Sequence, residues 1–461
     1  MDTRAPIAPA ELEALIRTGD RAAVAAALVP LPPADIADSL ADLAPADAAT
    51  ALTLLTPAVA ARVLGYLPAA EQLALAAAMP RARLQRLFAD MPHDERADLW
   101  KSLPEEAREA LIPGLAAAER EDIRRLASYP EGTAGSIMTS DYAVLPPDVT
   151  AAEAIALLRR EAPDRETIYD AYVVDADRRL IGVVSLRDLL LAPESRRIAD
   201  LMVTDLVFAR ADDRREEVAD KIADYDLLAV PVLDAEDRLL GIVTVDDALD
   251  VAEAALARRL TDFGGTAALG GPDIDIVATP VPAMFRARFL WLALLTAFGM
   301  ISSLVVAAQE ALLSEVIVLA AFIAPIIDMG GNTGSQSATL VIRAMALGHV
   351  DTVWRDVLRI LRRDVPVAAG LGIGVAALEV ILALVFKEGI GTDVLWVVGL
   401  SMLIVTIAGS LFGVTIPFVA RAFRVDPATL SAPLITSVMD LLGVLIYFGI
   451  AWAFLADVRA G

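Results

Sequence analysis

Between residues 286 and 461 the chain carries five runs with almost no charge, each long enough to cross a bilayer. A hydrocarbon core needs about 20 apolar helical residues per span, and only helices or closed barrels satisfy their own backbone polar groups there. The runs are 289–309, uncharged; 316–342, interrupted by Asp328; 365–386, interrupted by Glu379; 394–420, uncharged; and 427–455, interrupted by Asp440. They predict five transmembrane helices in a lipid bilayer. Arg286, Arg288, Arg343, Arg355, Arg359, Arg362, Arg363, Arg421 and Arg424 fall on one side of such a bundle, and only Lys387 and Arg459 on the other. Basic residues mark the cytoplasmic side, so the N-terminus is expected inside and the C-terminus outside. The N-terminal residues also lack the apolar core of a signal peptide. Segment 351–363 alternates charge and bulk and reads as an amphipathic helix on the inner surface.

Segment 325–336 has the wrong composition for hydrocarbon, with three glycines, Asp328, Asn332, Thr333, Ser335 and Gln336. Polar, loosely helical or non-helical backbone at membrane depth belongs where it is buried in protein or lines a wet cavity. An ionisable residue there points to function, so the stretch reads as the wall of an ion path. Small residues also let helices approach closely, and packing is the competing reading. Asp440 is the second such residue, deep in an otherwise uncharged run. At that depth its carboxylate needs a cation, a proton or water. Five spans are few for a complete pore, and a two-fold dimer would set two copies of Asp440 across its axis. Two carboxylates among amide and carbonyl oxygens suit a hydrated divalent cation, since Mg2+ keeps several of its waters. Glu379 reads as a proton or packing partner.

The chain has 461 residues, enough for several domains, and a formal charge of −23. That charge repels phosphates and argues against nucleic acid. It either draws cations to an acidic part outside the membrane or simply keeps that part in solution. Without cysteine, and with only His93 and His349 for imidazole, a soft metal site is not expected; oxygen-held hard cations are. No P-loop, cysteine nucleophile or histidine cluster is present, so an enzyme is not expected.

Ahead of the membrane runs the sequence is modular. In residues 1–130, Leu43, Leu55, Leu67, Met79, Met91, Leu103 and Leu115 recur every twelve residues, with a proline one or two positions later in most repeats. Proline suits the first turn of a helix, so the unit is a short helix and the whole a stacked α-helical superhelix. Asp94 and Asp98, one turn apart, either hold a cation between them or are solvated carboxylates at a helix start. Residues 131–201 and 202–252 are two copies of one α/β unit sharing Gly-x-x-Ser/Thr-x-x-Asp: Gly182, Ser185 and Asp188, then Gly241, Thr244 and Asp247. Ser185 and Thr244 are expected N-caps. This motif resembles a tandem pair of cystathionine-β-synthase (CBS) domains, which often bind adenosine nucleotides, so ATP is a candidate ligand. Residues 246–285 read as a connecting helix ending at Gly264 and Gly265, then a loose linker. An all-α five-helix transmembrane domain, 286–461, completes the chain.

A helical repeat domain, a CBS pair, a connecting helix and five spans together resemble the MgtE family of magnesium channels and transporters. The matching motifs are 330–339, Asp426-Pro-Ala and the segment 434–440 that ends in Asp440. The resemblance implies a homodimer passing Mg2+ inward through a pore on the two-fold axis. It implies that Asp440 holds hydrated Mg2+, that Gly330, Gly331, Asn332 and the backbone near Thr436 lie beside it, and that Asp426 sits at the cytoplasmic mouth. It also implies a Mg2+ sensor of facing acidic surfaces, matched by Asp94, Asp98, Glu216, Asp226, Asp247 and Asp250. One departure stands out: the connecting "plug" helix of the family is acidic through its middle, whereas here it carries Arg258 and Arg259. Two other classes stay open, a proton- or cation-coupled transporter using Asp440 and Glu379, and a membrane-anchored nucleotide sensor.

Overall fold

The computed structural model describes the chain except residues 1–6, 42, 113–114, 163–164, 265–275, 277–278, 351–353, 387–389, 424, 428–431 and 456–461. The chain divides into two units, Met1–Glu253 and Ala254–Gly461.

The first unit opens, among the described residues, with ten helices: Pro9–Thr18 (α1), Arg21–Leu28 (α2), Pro33–Ala41 (α3), Pro45–Leu52 (α4), Pro57–Tyr66 (α5), Ala69–Ala78 (α6), Arg81–Ala89 (α7), His93–Ser102 (α8), Glu105–Leu111 (α9) and Ala117–Ala127 (α10). Prolines set the starts. Pro45 and Pro57 occupy the first helical turn, while Pro68, Pro80, Pro92 and Pro104 stand one residue earlier, as the caps themselves. From α3 to α8 each helix packs on the next but one, and α8 on α10. The twelve-residue leucines and methionines fill the core between them; Leu67, Met91 and Leu103 are buried.

Two three-stranded sheets follow. Tyr142–Leu145 (β1) runs parallel to Thr167–Val174 (β2), which pairs antiparallel with Leu180–Ser185 (β3). Ala209–Arg210 (β4), Ala229–Leu233 (β5) and Leu239–Thr244 (β6) repeat this order. Helices Ala151–Glu161 (α11), Leu186–Leu191 (α12), Ile198–Leu201 (α13) and Arg215–Asp224 (α14) flank them. The shared glycines have a shared reason. A Cβ on Gly182 would lie 2.6 Å from the Met202 sulfur, and one on Gly241 would lie 2.7 Å from the Thr139 carbonyl oxygen. Ser185 caps α12 by accepting from the Asp188 amide. Thr244 stands just before Val245–Phe263 (α15) and donates to the Asp247 carboxylate at 2.7 Å. The helical array is docked on the second sheet: Ala97 of α8 and Leu126 of α10 share one core with Val218, Val230 and Val243.

In the second unit five helices are long and apolar enough to span a membrane among the described residues: Val281–Ala307 (α16), Ala320–Ala346 (α18), Trp354–Phe386 (α19), Thr392–Ala422 (α20) and Ala432–Phe454 (α21). A short helix, Glu310–Glu315 (α17), links the first two. Helix α18 packs on α20 and α21, α19 on α20, and α16 on α21. Two expectations are corrected. The glycine-rich stretch is not irregular, because α18 runs through it unbroken. Nor is 354–363 a separate surface helix, since it is the first part of α19; residues 351–353 of that segment lie outside the described residues.

The glycines of α18 and α20 explain the first correction. A Cβ on Gly409 would collide with the Gly330 carbonyl oxygen, and one on Gly413 with that of Gly334. Backbone touches backbone, so contact between the helices offsets the helix cost of glycine. Gly409→Val is therefore expected to destabilise the protein by about 3 kcal/mol, the upper end for overpacking a tight site. Gly399→Ala is the control, since its Cβ would meet only Val380 Cγ2 at 3.7 Å. Thermal unfolding in detergent should separate the two variants clearly.

Candidate functional site

Helix α18 has two chemically distinct faces. Ile326, Gly330, Gly331, Gly334, Ser337, Ala338 and Val341 are buried against its neighbours. Asp328, Asn332 and Gln336, spaced by four, form an exposed polar stripe on another face. The Asn332 amide donates to Asp328 Oδ2 at 2.8 Å. Helix α21 crosses beside this stripe. A Cβ on Gly331 would lie 2.8 Å from Thr436 Cγ2, while Gly443 faces the Ile327 backbone. These two pairs run in opposite chain directions, so the helices are antiparallel and Asp440 stands level with Asp328. The two carboxyls are close enough for their charges to interact. Asp440 is half-buried, and Thr436, one turn earlier on α21, donates back to Ala432.

The expected members Asp440, Asn332, Gly330, Gly331 and Thr436 are thus brought together, in two roles. Asp440 and Asn332 present polar groups. Gly330 and Gly331 let α20 and α21 approach; a Cβ on Gly330 would lie 2.6 Å from Val405 Cγ1. Asp426 lies exposed between α20 and α21. Glu379 is half-buried on α19. The sequence reading passed over Asp364, which lies between the charged segment 351–363 and the apolar run 365–386. Its carboxylate accepts the hydroxyls of both Ser337 and Ser410.

The first unit holds a second cluster. Asp94 and Asp98 on α8 face Asp246 and Asp247 in the first turn of α15, with Asp250 one turn on. Burial, then the Asp98 and Asp246 charges, raises the Asp94 carboxyl to about 6, against backbone hydrogen bonds that lower it. Its Oδ1 is buried without a hydrogen-bond partner. Burial and the Asp94 charge push Asp247 to about 8, although Thr244 opposes this. Burial and the neighbouring carboxylates likewise raise Glu95 to about 8, Glu166 to about 7, and Asp250 upward. Glu95, Glu166 and Asp246 were not foreseen as site residues, because their approach is tertiary. Beside them His93 bridges the array and the first sheet unit: Nδ1 lies 2.8 Å from Asp122 and Nε2 3.4 Å from Asp141.

A buried, unpartnered carboxylate oxygen among like charges suits a cation or protons. Among the described residues no three such side chains converge tightly enough to clasp a bare ion. Two further expected sensor residues sit on α14 and just after it. Glu216 pairs with Arg214 at 3.0 Å and Arg215 at 3.6 Å, and Asp226 occupies a left-handed turn after α14. Arg258 and Arg259 are exposed on the second half of α15. A separate cleft of about 750 Å³ opens between Tyr169, Asp170, Ser185, Arg187 and Leu228.

Five apolar helices with a polar stripe, following an acidic regulatory unit, define a multi-pass membrane protein of the cation-transport class. Three family models match: divalent cation transporter over residues 323–450, MgtE intracellular N domain over 31–132, and CBS domain over 134–195 and 198–254. The chain is 40% identical over 332 residues to the magnesium transporter MgtE of Thermus thermophilus, covering 72% of each. It is 35% identical over 345 residues to that of Bacillus subtilis, covering 75% of this chain and 74% of the relative. A crystal structure of the cytosolic domain of the Mg2+ channel MgtE in complex with ATP matches 53% of this chain and 99% of that one, at 38% identity and a TM-score of 0.51. The chain belongs to the MgtE family of magnesium transporters.

Proposed function

We propose that this chain forms a homodimer that passes Mg2+ into the cytoplasm and is shut by cytoplasmic Mg2+. The observation that carries the reading is the Asp328–Asn332–Gln336 stripe, exposed on a membrane helix with Asp440 level with it. Such a face cannot meet lipid. A second copy would enclose it and oppose two Asp440 carboxylates across a shared path. Hydrated Mg2+ would pass as cargo, its retained waters donating to these oxygens. Asp426 would stand at the cytoplasmic mouth. The protein would reside in a bacterial plasma membrane, and the distribution of arginines supports a cytoplasmic N-terminus and an external C-terminus.

In this reading 1–130 is the helical N domain, 131–201 and 202–252 the CBS copies, 246–285 the plug helix and linker, and 286–461 the transmembrane domain. The sensor is the cluster of Asp94, Asp98, Asp247 and Asp250, with Glu216 and Asp226 on the same unit contributing further acidic surface. Mg2+ would neutralise their repulsion, hold the N domain on the second CBS copy and close the path. ATP would occupy the Tyr169–Arg187 cleft, its base against the tyrosine ring and its phosphates towards the guanidinium. The protein works as a channel or transporter rather than an enzyme.

Mg2+ uptake by liposomes carrying the full chain, followed with an entrapped indicator, tests the reading. Uptake absent from empty liposomes is expected, and its absence contradicts the reading. The plug arginines give a further prediction. Arg258 and Arg259 would attract CBS carboxylates and do part of what Mg2+ does, so closure here needs less Mg2+ or depends on it less steeply. Converting both to glutamate should raise the closing Mg2+ concentration at least about tenfold, equivalent to about 1.4 kcal/mol. An unchanged Mg2+ response would contradict this role.

A further inference from the structure

Helical Ser and Thr residues commonly turn their hydroxyls back to the carbonyl one turn earlier. In this bundle Thr333, Thr339, Thr406 and Thr415 do so. Ser337 on α18 and Ser410 on α20 do not. Both are buried, and both reach the same oxygen, Oδ2 of Asp364 on α19, at 2.7 and 2.6 Å. One carboxylate therefore ties three helices together. Among the described residues it has no ion-pair partner, although Arg355, Arg359, Arg362 and Arg363 precede it on the same helix, and Arg359 is taken by Asp356 at 2.8 Å.

The position of Ser337 gives the clamp its consequence. It follows Gln336, the last residue of the polar stripe, but lies on the buried face of α18. Gly330 and Gly334 hold that buried face close to α20. These glycine contacts fix the distance between the helices, and apolar side chains such as Val405 and Ile435 pack into the same interface. The directional bond at Ser337 adds a constraint on rotation that apolar packing, which has no preferred direction, does not supply. Turning α18 by one residue's worth of rotation would break this bond and move Gln336, Asn332 and Asp328 off the path.

We propose that Asp364 is a positioning residue of the ion path, setting the rotation of α18 so that the polar stripe faces the ion. This rests on the reading that the stripe lines a path. The absence of cysteine in the sequence supplies the test. In full-length protein in liposomes, Gln336→Cys is a single thiol whose reaction rate with a charged methanethiosulfonate reports access to water. It is expected to react in the otherwise wild-type background; no reaction would overturn the path reading itself. Adding Asp364→Ala is expected to slow the reaction at least about tenfold, as for a group moved out of water by about 1.4 kcal/mol. Ser337→Ala with Ser410→Ala, which keeps the charge, should slow it equally, and it decides the matter if the aspartate variant does not fold. Asp364→Asn should react within about threefold of the parent, because its amide oxygen accepts both hydroxyls. Labelling unchanged by Asp364→Ala or by the double serine variant would overturn the positioning role. So would Asp364→Asn slowing the reaction as far as Asp364→Ala does.

Discussion

Replacing Asp440 with alanine is expected to lower Mg2+ flux at least about 100-fold, equivalent to about 2.8 kcal/mol on the barrier. The carboxylate stands level with Asp328 beside the Asn332 stripe. In a dimer the substitution removes two negative charges at membrane depth, where little else offsets the loss of bulk water by a divalent ion. Asp440→Asn should fall nearly as far, because it keeps the size of the side chain but not the charge. Stability should change little, since Asp440 is only half-buried and clasps no neighbour the way Asp364 does. The initial rate of indicator response in liposomes, compared with the melting temperature in detergent, separates the two effects. Flux within about threefold of wild type would move the path away from Asp440.

The second large effect concerns pH and Mg2+ together. Asp94, Glu166, Asp247 and Glu95 are held at about 6, 7, 8 and 8. A carboxyl with a raised value binds more protons in the docked arrangement than when the surfaces part. Docking is therefore favoured at acidic pH and weakens as pH rises from the ordinary carboxylate range to about 8. Mg2+ replaces those protons, so its effect should be small near pH 5 and large near pH 8.5. Protease protection of the segment joining α8 to α10, measured on the full chain, is the readout. Without Mg2+, protection is expected at the acidic end and lost at the alkaline end; with Mg2+ it should persist throughout. Asp94→Asn combined with Asp247→Asn should flatten the pH dependence. Protection that ignores pH in the absence of Mg2+ would contradict the assignment of this cluster.

Much of this was legible because single-residue chemistry dictated it. Long uncharged runs have few options in hydrocarbon, so five spans followed directly. Twelve-residue spacing of Leu and Met with Pro predicted short stacked helices, and the array packs that way. The Gly-x-x-Ser/Thr-x-x-Asp repeat marked two equivalent units, whose glycines make room for a crossing chain. Helix ends were harder. Arg355 to Arg363 looked like a surface segment, but nothing in those residues breaks a helix, and α19 begins with them. Polar glycine-rich sequence suggested loose backbone, but contact at Gly330, Gly409 and Gly413 favours an unbroken helix. Asp94 and Asp98 share a helix and could be paired by spacing. Their approach to Asp247 and Glu166 is set by docking of the array on the second sheet unit, and no local pattern encodes it. Asp364 was missed for the same reason, as its serine partners lie 27 and 46 residues away.

The most direct test of a Mg2+ path gated by Mg2+ is uptake into oriented proteoliposomes while Mg2+ on the face of the N-terminal unit is raised stepwise through the millimolar range. The account predicts uptake at the low end that falls steeply as that Mg2+ rises, with the fall shifted upward by Arg258→Glu and Arg259→Glu. Uptake that stays constant across the range would contradict it.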